Sequence, residues 1–203
     1  MKRLTVIVLL IVLINALYPS VTNASWLLYH KQEFKGRVID AKTKEPIAGA
    51  VVVATYYKST IGVPHHYSTI IYKQETLTSQ NGEFSIPSYT TLIQPLSVSS
   101  FVHFIIYKPG YGNFPWQQIS PRQGVKEEEY FSGNLGKEGE VAWLDKTITV
   151  RFGVVELQKL ETKEERLKAI PSSPGDLTFK ELPLLFKSIN EERRNFGLQE
   201  VQG

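Results

Sequence analysis

Apolar and polar positions alternate in short runs from Phe34 onward, the period-two pattern of half-buried strands. In FKGRVID, Phe34, Gly36 and Val38 share one face, and the polar stretch AKTKEP, closed by Pro46, ends the run. The next run, Ala50 to Tyr57, is apolar on both faces through Val51, Val52 and Val53, which predicts a central strand covered on both sides. After a loop containing Gly62, Pro64, His65 and His66, Tyr67 to Thr78 is rich in β-branched and aromatic residues. Asn81 and Gly82 then predict a tight hairpin turn, with Phe84 and Ile86 turning the returning strand's apolar face inward. FVHFIIYK, Phe101 to Lys108, reads as another buried strand that stops at PGYGNFP.

Residues 109–140 interrupt this pattern with glycines, prolines, isolated aromatics and the charge run KEEE at Lys126 to Glu129, read as a solvated turn inside a long insertion. Strands resume in VAWLDKTITVRF and VVELQKL. Beyond Leu160 the period changes to that of helices. Thr162 and Glu165 have capping-box spacing, opening a short helix that Pro171 ends. A second helix is expected from Pro183 to Gly197, with Leu185, Ile189 and Phe196 on one side, packed on the strands. The apolar group Leu182, Leu184, Leu185, Phe186 and Ile189 also suggests the alternative of a docking element for a larger assembly.

Met1, Lys2 and Arg3 followed by the apolar run Leu4 to Leu17 have the order of a secretory signal peptide, with cleavage expected near Ala24. A membrane anchor is the rival, but this run is shorter than the roughly 20 apolar residues that span a bilayer. The expectation is therefore export to the periplasm or the extracellular space, with membrane contact only if residues 1–24 are retained. Loss of that segment leaves about 179 residues, enough to bury a substantial core, and a net charge of about +1, which argues against nucleic acid as a partner. The chain has no cysteine, so the fold relies on burial rather than disulfides.

Candidate chemistry is sparse. His65 and His66 suggest a metal site, but adjacent residues of an extended segment point to opposite faces. His30 and Glu33 have HxxE spacing yet precede the first core strand, and His103 lies within an apolar strand. No catalytic residue and no cofactor is assigned. Tyr111, Phe114, Trp116, Tyr130 and Phe131 lie in the insertion, where they form either a recognition surface for sugars or peptides or a satellite core beneath the loop.

Gly36, Asp40, Thr43, Pro46, Ile47, Gly49, Ala50 and Val52 form a pattern that resembles the carboxypeptidase regulatory-like domain. Thr78, Asn81, Gly82 and Phe84, and then Lys108 to Tyr111, resemble its second hairpin and late strand. The resemblance implies an all-β fold, a seven- or eight-stranded antiparallel transthyretin-like sandwich. Here it would span residues 32–160, with the insertion at 109–140 and a small helical C-terminal tail at 161–203. It implies an accessory domain of exported proteins; together with the signal peptide and the missing catalytic constellation, the expectation is a binding or structural module of the cell envelope, its partner an envelope protein or a glycan, rather than an enzyme. The competing reading is a small metal-dependent enzyme using the His65/His66 loop.

Overall fold

A computed structural model describes residues 28–60, 67–92, 97–116, 125–143, 146–175 and 177–201. Residues 1–24, where a signal peptide is expected, and the pair His65 and His66 lie outside the described residues. The strands are β1 (Leu28–Lys31), β2 (Phe34–Asp40), β3 (Val51–Thr60), β4 (Tyr67–Leu77), β5 (Glu83–Ile86), β6 (Tyr89–Leu92), β7 (Ser97–Tyr107), β8 (Glu138–Trp143), β9 (Lys146–Arg151) and β10 (Val154–Leu157). Among the described residues three helices accompany them: α1 (Glu127–Ser132), α2 (Lys163–Lys168) and α3 (Pro183–Asn195).

Two three-stranded sheets, β10-β2-β5 and β4-β3-β7, face one another. Phe34 and Val38 of β2, Phe84 and Ile86 of β5, and Val155 and Leu157 of β10 pack against Val52, Ala54 and Tyr56 of β3 and against Val102, Phe104 and Ile106 of β7. The rings of Phe34 and Phe104 meet edge to face at 5.2 Å across this core. Two ribbons, β1-β6 and β8-β9, flank the sheets. The described part of the chain is thus mainly β and layered as a sandwich.

The other face of β3 is also covered. Val51 and Val53, with Ile105 and Tyr107 of β7, form a second core with Leu182, Leu185, Phe186 and Ile189 of the tail. The continuous apolar run in β3 follows from this: alternate side chains enter two different cores. Helix α3 therefore packs on its own sheet as expected, burying Leu185, Phe186 and Ile189 there and leaving Leu184 half-buried. Among the described residues no helix is long and apolar enough to cross a membrane.

Four features differ from the expectations. The pair β10-β2 is parallel, not antiparallel. The insertion at 109–140 is partly regular: Phe114 pairs with Ile106, α1 occupies its middle, and β8 begins within it. VAWLDKTITVRF forms the separate ribbon β8-β9, and only β10 rejoins a main sheet. At Asn81-Gly82 the turn closes as a hairpin does, with Gly82 N–H donating to Ser79 O at 2.9 Å and Ser79 N–H to Glu83 O at 2.8 Å. Only Gly82 takes positive φ, +72°. The two arms then part, β4 joining one sheet and β5 the other, so this turn links the layers instead of extending a single sheet.

Candidate functional site

Parallel pairing sets Asp40 of β2 opposite Leu157 of β10, so the chain leaves both strands at the same end of the sandwich. The β2 exit is fixed by Asp40, whose carboxylate accepts the backbone N–H groups of Lys42 at 2.8 Å and Thr43 at 2.9 Å, an arrangement in which a short acidic side chain substitutes for backbone in a turn. The β10 exit is tied to it, with Ala41 N–H donating to Leu157 O at 2.9 Å. A third segment joins from KPGY. Gly112 N–H donates to Gln158 O at 2.8 Å, Leu160 N–H donates to Gly110 O at 2.9 Å, and Tyr111 sits opposite Lys159. Two stretches distant in sequence, braced by the third, thus enclose a cleft of about 440 Å³ lined by Asp40, Lys42, Thr43, Gln158, Lys159 and Glu161.

The Tyr111 phenol lies beside the Asp40 carboxylate. The backbone N–H of Thr43 holds Asp40 below the usual aspartate range against the opposing effect of burial, helped by the Lys42 N–H and the two hydroxyls of Tyr111 and Thr43. Burial pushes the Tyr111 phenol up, and the negative charge of Asp40 adds to this. At neutral pH the pair is an ionised carboxylate and a protonated phenol side by side. Around them stand the exposed side chains of Lys42, Gln158, Lys159 and Glu161. The cleft offers hydrogen-bond donors and acceptors and charges of both signs, the chemistry that holds a polar ligand rich in hydroxyl groups.

The five aromatics of the insertion separate. Tyr111 lies beside Asp40 and does not itself line the cleft, and Trp116 is 81% exposed. Phe114, Tyr130 and Phe131 are buried in the main core, and the recognition-surface reading is corrected for these three. Phe131 meets Phe104 with centroids 4.6 Å apart, and the Tyr130 hydroxyl donates to Val154 O. They fill the space under α1 because that short helix turns its ring-bearing side toward the sheets.

The KEEE run also needs correction, since it is not a solvated turn. Glu127 and Glu128 lie in α1 against the outer edge of β7, where the Glu128 carboxylate accepts Val102 N–H at 2.7 Å and the Glu127 carboxylate accepts Phe104 N–H at 2.5 Å. Ile106, next along the same edge, exchanges backbone hydrogen bonds with Phe114. The carboxylates complete the ladder of an edge strand, whose open N–H groups otherwise invite pairing with another chain. Their acidity hinted at solvent, and nothing local in the sequence pointed to backbone donors so far away.

His30 and Glu33 do not converge: His30 Nδ1 bonds Thr90 Oγ1 at 2.7 Å, while Glu33 accepts from Ser85 Oγ at 2.7 Å and pairs with Lys35. His103 Nδ1 lies 3.1 Å from Glu127 Oε1. Among the described residues no three His, Asp or Glu side chains are grouped so as to hold a metal ion. No family model, no characterised protein and no solved structure matches this chain.

Proposed function

We propose that this chain is a non-catalytic binding module of the cell envelope, exported through its N-terminal signal segment and built as a carboxypeptidase regulatory-like sandwich of the transthyretin type. Its ligand on this reading is an envelope glycan, held in the cleft at the shared end of β2 and β10. The observation that carries the reading is the convergence of Asp40 to Thr43 and Gln158 to Glu161, two segments distant in sequence, around one polar cleft, with Tyr111 beside Asp40. Saccharides are recognised by closely placed hydrogen-bond donors and acceptors, and Lys42, Thr43, Gln158, Lys159 and Glu161 supply both here.

Support for the family reading comes from its turn residues. Gly49 and Gly82 take positive φ, Asp40 folds the first turn, and Thr78 ties two segments by accepting from Ala50 N–H at 2.8 Å and donating to Ile47 O at 2.6 Å. A Cβ on Gly36 would run into the Phe84 ring. Support for a non-catalytic role comes from how the carboxylates are used: Asp40, Glu75, Glu127 and Glu128 are all engaged by backbone N–H groups.

The test is calorimetric titration of the purified protein with soluble envelope oligosaccharides. Saturable binding is expected, weakened about tenfold in Gln158→Ala and in Lys159→Ala, about 1.4 kcal/mol each. Both side chains are exposed, so the fold is expected to be retained. Absence of binding, or affinity unchanged in both variants, removes the cleft from the account, and a measured turnover of any bound glycan removes the non-catalytic reading.

A further inference from the structure

At the end of the core near the β1-β6 ribbon, four tyrosines from four strands pack together: Tyr29 of β1, Tyr56 of β3, Tyr72 of β4 and Tyr89 of β6. Tyr72 and Tyr89 lie nearly parallel, with ring centroids 3.9 Å apart and an interplanar angle of 5°. Tyr56 stands 5.3 Å from each of them, in tilted or edge-on contact. Tyr29 is 6.1 Å from Tyr89. Tyr29 and Tyr56 are buried, and their hydroxyls have no hydrogen-bond partner. Tyr72 and Tyr89 are half-buried, so an oxidant in solution reaches their edges.

The stacked pair is the closest of the four, the most accessible, and bridges two separate sheets: β4 belongs to β4-β3-β7 and β6 to the ribbon. We infer that Tyr72 and Tyr89 are a site of oxidative cross-linking, joined as dityrosine by a peroxidase acting with hydrogen peroxide. Each phenol loses one electron and one proton to become a phenoxyl radical. The two radicals couple through ring carbons ortho to their oxygens, forming one carbon–carbon bond. The hydrogens on those carbons shift to the oxygens, restoring both phenols. Overall two hydrogens leave the protein, and one hydrogen peroxide is reduced to two molecules of water. The bond would anchor the ribbon, whose strands carry only four residue pairs, to the main sheet. In a chain with no cysteine, it supplies a covalent tie of a kind that disulfides provide elsewhere.

The experiment treats dilute purified protein with a haem peroxidase and hydrogen peroxide and follows dityrosine fluorescence. Digestion and tandem mass spectrometry then identify the joined peptides. An intramolecular Tyr72–Tyr89 link, with two hydrogens lost, is expected. Tyr72→Phe and Tyr89→Phe keep a ring in place and are each expected to abolish it, whereas Tyr111→Phe, beside Asp40, leaves it intact. Urea-unfolded protein is expected to lose the selectivity. No dityrosine in the folded wild-type chain, or links spread over other tyrosines, or links only between molecules, would overturn the assignment, and the wild-type measurement alone decides this even if a variant fails to fold.

Discussion

The carboxylate of Glu75 on β4 accepts the backbone N–H of Leu185 in the first turn of α3 at 2.8 Å, and that of Leu184 at 2.9 Å. Pro183 opens the helix and carries no N–H, and Leu182 gives no side-chain cap, so the strand supplies what the helix lacks. Glu75→Ala is expected to destabilise the protein by about 1–2 kcal/mol, the cost of a lost N-cap, read as a lower midpoint in denaturant unfolding. Burial raises the Glu75 pKa in the folded chain despite the two N–H donors. Its linked contribution is therefore fully present below the ordinary glutamate value of 4.5 and declines as pH rises through the folded value.

The opposite dependence is expected of Glu192. Burial works to raise its pKa, but the Arg166 guanidinium, bonding it at 2.7 and 2.6 Å, together with the Asn195 amide and Gly110 N–H, leaves it lowered. That contribution is present above 4.5 and is lost as pH falls through the folded value. Glu192→Gln is expected to cost about 3 kcal/mol near neutrality, the lower end for breaking a buried pair because Arg166 is partly exposed. The difference from wild type should shrink in unfolding curves recorded below pH 4.5. A constant difference across the acid range would show that this pair does not hold α2 against α3.

If α1 guards the edge of β7, Glu128→Ala leaves Val102 N–H without its acceptor. Amide hydrogen exchange is expected to accelerate at Val102 by tenfold or more, about 1.4 kcal/mol, with little change at Val52 in the centre of the sheet. Glu128→Gln retains an acceptor oxygen and is expected to preserve most of the protection. Unchanged exchange at Val102 in the alanine variant would count against the guard.

Glycine substitutions separate conformation from crowding. Gly136 takes φ +78° with open space around its missing Cβ, whereas Gly82 takes φ +72° with the Val38 carbonyl oxygen where a Cβ would lie. Gly136→Ala is expected to cost about 1–2 kcal/mol for the left-handed backbone alone. Gly82→Ala should cost at least about 1 kcal/mol more, as overpacking does. Equal midpoint shifts for the two variants would refute the role given to Val38.

Alternation made β2, β3 and β7 readable in the sequence, because each buries side chains at a fixed spacing. Thr162 and Glu165 formed the expected capping box, and Pro183 and Gly197 bracketed α3, since these signals act between near neighbours. Periodicity assigns a residue to a face but does not name the adjacent strand, so the parallel partnership of Val154 with Arg37 was not legible. For the same reason Glu127 and Glu128 read as solvated: their targets on β7 become neighbours only after folding. Asp40 of the cleft and its neighbour Tyr111 were visible separately, as a turn residue and an aromatic, but their meeting depends on segments distant in sequence.

The partnership between Val154 and Arg37 also means that the sheet around β2 cannot be completed before β10 exists. One edge of β2 is filled early, by β5, while the other awaits the last strand of the sandwich. Closing so long a stretch of chain is entropically slow compared with forming local turns. The layers can lock only after about three quarters of the polypeptide has been delivered, so a nascent chain stalled before Val154 is left with an incomplete sheet and a bare flank on β2.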